Sequence, residues 1–84
     1  MNINKRQMKN AIKELRRKCF NKGARTPRQM MYPQYIVIDP ETDAARSENF
    51  QTAPHITPYT QDVIVFNDAQ EILDTIAYWK SEIS

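Results

Sequence analysis

The sequence predicts a small α+β fold in the order α-β-β-β-α, with two helices packed on one face of a three-stranded, mainly antiparallel sheet. Three observations carry this reading: apolar residues recur at helical spacing near both ends, short runs of β-branched and aromatic residues lie between them, and proline and turn signals separate those runs. At 84 residues the chain has room for a single domain, 1–84, built around one modest core.

From Asn4 to Phe20, the residues Met8, Ala11, Ile12, Leu15 and Cys19 form one apolar stripe of an amphipathic helix. Asn4 with Gln7 three positions on resembles a capping box. Arg16, Arg17 and Lys18 suit the negative C-terminal end, and Gly23 is expected to supply the terminating left-handed position. The next segment holds Pro27 and Pro33, and Thr26 is expected to cap a single helical turn running to Met31.

Gln34 to Asp39 reads as a strand, and its unbroken apolar run Tyr35, Ile36, Val37, Ile38 predicts a central position buried on both faces. Asp39, Pro40, Glu41, Thr42 and Asp43 have turn chemistry, so residues 44–50 should return as a weaker antiparallel strand. Pro54 and Pro58 mark 51–61 as a loop, because neither can donate to a sheet ladder. Asp62 to Phe66 reads as the third strand. The last helix starts at Asn67 or Asp68 and presents Ala69, Ile72, Leu73, Ile76, Trp79 and Ile83 to the core.

Composition bounds the function. Hydrophobic residues at 40% and charged residues at 26% place the chain among folded globular proteins. The lone Cys19 cannot form an internal disulfide, which points to a reducing, cytoplasmic setting. No apolar run approaches the roughly 20 residues of a membrane span. Charges from Lys5 onward leave no apolar core for a secretory signal. The basic amphipathic opening segment also fits an organellar presequence, although it is poor in hydroxyl residues.

The net charge of +2 hides a sharp division. Residues 1–30 hold ten Lys and Arg against the single acid Glu14, a balance of +9, whereas residues 31–84 carry −7. At 100° per residue, Lys5, Arg6, Lys9, Lys13, Arg16 and Arg17 fall within roughly a third of the helix circumference. Lys22, Arg25 and Arg28 extend this stripe into the connector. Such a surface suits phosphates, whose counterions each neutralising contact releases. A solvated outer face is the bland alternative. No helix-turn-helix, zinc or RNA-platform signature accompanies the stripe, so contact is expected with a nucleic-acid backbone rather than with bases.

On the last helix, Glu71, Asp74 and Glu82 surround Tyr78 on the outer side, a candidate anchor for a protein partner or for the basic stripe of a second copy in a homodimer. An isolated surface tyrosine needs no such explanation. Asp39, Glu41 and Asp43 alternate like early calcium ligands, but Pro40, Ala44 and Phe50 break the EF-hand pattern and a plain turn is expected. His55 has no second histidine beside it, Cys19 sits on an apolar stripe, and a single glycine rules out a glycine-rich phosphate cradle. No catalytic, metal or cofactor site is expected.

The sequence therefore points to a non-enzymatic binding module. Its short, plain build is compatible with inhibitors and regulators of the phage or mobile-element type, engaging a host protein or nucleoprotein complex through the basic helix. The alternative is a protein-interaction or self-assembly module docking around Tyr78. An enzyme built on His55 comes third.

Overall fold

The computed structural model describes residues 3–21, 23–30, 32–49, 51–56 and 62–84. Five elements follow in the order α1 (Lys5–Cys19), β1 (Gln34–Ile38), β2 (Ala45–Glu48), β3 (Val63–Phe66) and α2 (Ala69–Ile83). The three strands form one antiparallel sheet in the order β2-β1-β3, so β1 with its unbroken run Tyr35 to Ile38 is central, while the equally apolar β3 lies at an edge.

The capping box is present. Asn4 Oδ1 accepts from the Gln7 amide at 2.7 Å, and Gln7 Oε1 accepts from the Asn4 amide at 3.0 Å, which satisfies two orphan donors reciprocally. Asp68 caps α2 by accepting from the Glu71 amide at 2.9 Å. The alternation of the strands then decides which side chains meet the helices. Ile36, Ile38, Ile64 and Phe66 face both helices and join Met8, Ala11, Ile12, Leu15, Ile72, Ile76 and Trp79 in the main core. Trp79 meets Phe66 edge to face at 6.5 Å. Tyr35, Val37, Val63 and Val65 point the other way and are covered by Ala53 and Ile56, so β1 is shielded on both faces.

Two local expectations are corrected. Gly23 does not terminate α1: the helix ends earlier because Phe20 turns to an extended conformation (φ −116°, ψ 142°). Gly23 has a positive φ of 79° in the turn that follows, where the Ala24 amide donates to Asn21 O at 2.9 Å. The segment after Thr26 is likewise no helical turn. Phe20 and Pro27 form an antiparallel bridge, and the Arg28 amide donates to Cys19 O at 2.6 Å. The carbonyl of Cys19, which has no intrahelical partner at the end of α1, captures this backbone in preference to a local helical bond. Met31, the expected end of that helical turn, lies outside the described residues.

The β1–β2 turn is clasped by the first turns of α1. Asp43 adopts a left-handed conformation (φ 62°). Its Oδ1 accepts from Gln7 Nε2 at 2.9 Å and from Asn4 Nδ2 at 3.4 Å, while its carbonyl accepts from Asn10 Nδ2 at 2.7 Å. Gln7 is thus buried yet satisfied.

Candidate functional site

Burying the apolar stripe of α1 against the sheet and α2 leaves its opposite side in solvent, and this positions the cations. Lys5, Arg6, Lys9, Lys13, Arg16 and Arg17 are all exposed, as are Arg25 and Arg28 in the connector. Lys22 lies outside the described residues. The rise of 1.5 Å per residue spreads Lys5 to Arg17 over about 18 Å along the helix. Of these cations, Arg17 has an ion pair among the described residues, with Glu14 Oε1 at 2.7 Å. That carboxylate also accepts from the Ser47 amide at 3.3 Å, tying α1 to the outer edge of β2. The sole acid of the first thirty residues therefore serves the fold, while the other described stripe cations show no ion pair to a carboxylate of the chain.

A groove that the sequence does not announce opens beside the C-terminal end of this stripe. It has a volume of about 820 Å³ and lies between the last turn of α1, the connector and one flank of α2. Arg16, Arg17, Arg25, Arg28 and Lys80 are its cations, Phe20, Leu73 and Ile76 supply apolar surface, and no carboxylate lines it. The backbone explains the convergence: the bridge from Phe20 to Pro27 folds the connector back over the helix end, bringing Arg25 and Arg28 to the same groove as Arg16 and Arg17. Arg16, Arg17 and Lys80 also sit in the last turns of their helices, where cations complement the macrodipole. Arg25 and Arg28 have no such role. The nearest sequence signal is the pair Leu73 and Lys80, which fall on the same flank of α2 at helical spacing.

Beneath this end of α1, burial pushes the Cys19 thiol above its ordinary pKa, with the Arg28 guanidinium opposing and the Glu14 carboxylate adding to the shift. A thiol so placed behaves as a core residue.

On α2, Tyr78 is 61% exposed, and Asp74 and Glu82 are exposed near it on the outer side. Glu71 is half-buried and occupied, its Oε2 accepting from the Asn67 amide at 3.0 Å, and Asp74 accepts from Gln70 Nε2 at 2.8 Å. His55 is exposed in the loop after β2. Asp39 Oδ1 accepts from the Glu41 and Thr42 amides, which holds its carboxyl below the usual range and makes it a turn former. No three His, Cys, Asp or Glu side chains converge among the described residues.

No helix among the described residues is long and apolar enough to cross a membrane. Comparison with known proteins finds no matching family model, no matching curated protein and no matching solved structure.

Proposed function

We propose that this chain is a non-enzymatic binding module of the inhibitor or regulator type, of the kind mobile elements encode, acting in the cytoplasm on a host nucleoprotein complex and gripping its nucleic-acid backbone with the cations of α1. The observation that supports this reading is the exposure of Lys5, Arg6, Lys9, Lys13, Arg16, Arg25 and Arg28 without an ion pair among the described residues. A row of uncompensated cations raises the local potential and attracts phosphates.

The test reverses Lys9 and Lys13 to Glu together. Arg17 is left in place because its pairing with Glu14 would confuse the result. Binding of a fluorescent oligonucleotide duplex is followed by anisotropy between about 50 and 200 mM salt. The wild-type affinity should fall with salt, and the double variant should bind more weakly with a shallower dependence. Equal affinity and a flat salt response in both proteins would remove the proposal.

A second reading is favoured by the exposure of Tyr78 on the acidic side of α2. It makes this face a dock for a protein partner or a second copy. Tyr78→Ala should then lower the association seen by sedimentation, while Lys9 and Lys13 reversal leaves docking of a separate protein partner unchanged and weakens pairing with the basic stripe of a second copy. A wild-type chain that sediments as a monomer and captures no protein would dispose of this alternative.

A further inference from the structure

The cationic stripe and the groove differ in shape and chemistry. The stripe is a convex row of lysines and arginines on a helix. The groove is concave, has apolar surface from Phe20, Leu73 and Ile76, and, among the described residues, draws four of its five cations from arginine. From this difference we infer that the groove receives an unpaired nucleotide of a single-stranded nucleic acid, with the base against Phe20, Leu73 and Ile76 and the flanking phosphates on Arg16, Arg17, Arg25 and Arg28. The inference rests on the reading that α1 meets a nucleic-acid backbone, and it specifies the strand state of that partner.

Charge complementarity selects the occupant. Among the described residues five cations and no carboxylate line the groove, and although Arg17 is paired with Glu14, the other four repel cations and leave a strong field for an anion. Arginine adds a second property, because its planar guanidinium forks a phosphate with two hydrogen bonds and also lies flat on a base. The apolar surface then discriminates among anions. A free phosphate gains nothing from Phe20 or Leu73, whereas a nucleotide offers a π-face to the ring and a phosphate to the rim. A duplex offers phosphates on a convex ridge with its bases stacked inward, so it can follow the stripe but cannot fill the groove. The volume of about 820 Å³ lies in the range, about 300–1,000 Å³, of pockets that enclose small organic groups. The bridge between Phe20 and Pro27 fixes the connector, so the rim is organised before the strand arrives.

The experiment compares four probes on the intact chain: labelled oligothymidylate, a duplex of the same length, thymidine monophosphate, and an acidic peptide rich in leucine. Oligothymidylate should bind more tightly than the duplex, and it should shift the methyl resonances of Leu73 and Ile76 in NMR spectra. Arg25→Ala with Arg28→Ala should weaken oligothymidylate binding more than duplex binding, so that the single-strand preference is lost. Phe20→Ala should weaken oligothymidylate binding roughly 5- to 150-fold. Phe20 is half-buried against the core, so Phe20→Leu provides a second variant that keeps apolar volume without the flat ring, and the methyl shifts need no substitution.

Equal affinity for duplex and single strand with unmoved Leu73 and Ile76 methyls would overturn the inference, while duplex binding that Lys9 and Lys13 reversal abolishes would leave the stripe proposal standing. Binding of neither nucleic acid would overturn both. A groove that responds to the acidic peptide but not to oligothymidylate, or that binds the mononucleotide as tightly as the oligomer, would also overturn the inference.

Discussion

Asp43 gives a sharp test of the structural reasoning, because one side chain performs two separable tasks. It accepts from the buried Gln7 carboxamide, and it occupies a left-handed position that favours glycine. Asp43→Ala strands the Gln7 donor, costing about 1–3 kcal/mol. It also puts at φ 62° a residue without the short polar side chain that eases this conformation, where the full left-handed penalty is about 1–2 kcal/mol. Together these predict a loss of about 2–4 kcal/mol. Asp43→Gly strands the same donor but relaxes the backbone, so it should cost about 1 kcal/mol less than alanine. Asp43→Asn keeps an oxygen for Gln7 and tolerates the conformation, and its loss should stay under about 1 kcal/mol. Urea denaturation of the three variants measures the series, and at roughly 4–8 °C per kcal/mol the ranking should also appear in Tm. Gln7→Ala alone and combined with Asp43→Ala completes a double-mutant cycle, whose coupling should exceed about 0.5 kcal/mol. Alanine no worse than glycine, or strict additivity with Gln7→Ala, would refute the argument.

Two further outcomes follow from the same coordinates. Leu15 is fully buried where α1 meets the main core, so Leu15→Ala should destabilise the chain by about 2–5 kcal/mol in urea titration, and a loss below about 1 kcal/mol would show that α1 is not packed as described. Asp39 has its folded pKa lowered chiefly by the Glu41 amide, with the Thr42 amide and hydroxyl and the Arg46 charge adding to the effect. Its stabilisation is therefore present above the ordinary aspartate pKa, about 3.9, and is lost as pH falls through the lower folded value. The Tm gap between wild type and Asp39→Asn should be widest near neutrality and should close in acid, whereas a gap independent of pH would contradict the assignment.

The parts of the fold that rest on local rules were legible in the sequence. Asn4 with Gln7 and Asp68 with Glu71 are spaced for the reciprocal or one-way caps they form. The uninterrupted run Tyr35 to Ile38 marks a strand covered on both faces, which can spare its polar alternation, but Val63 to Phe66 is just as uninterrupted at an edge, so such a run reports coverage rather than order in the sheet. The end of α1 was not legible. Gly23 carries the expected positive φ, yet the helix stops earlier because the Cys19 carbonyl finds the Arg28 amide, a contact that no local rule encodes.

The same limit applies to the site. Helical spacing predicted the exposed stripe from Lys5 to Arg17, since burying Leu15 and Ile12 obliges the opposite side to face water. The groove joins Arg25 and Arg28 to Leu73 and Lys80 across more than forty residues, and only tertiary packing brings them together. Gln7 was readable as a capping residue, but its second bond depends on Asp43, thirty-six positions away in the chain.

Glu14 restricts how the electrostatics of this molecule can vary. Replacing it with lysine would enlarge the positive surface and free Arg17, and would at the same time strip the Ser47 amide of its acceptor. An uncovered strand margin invites pairing between molecules and precipitation. Any drift toward greater cationic strength at this position is thereby opposed by a demand for solubility, and added charge is better tolerated at helix positions away from the sheet margin.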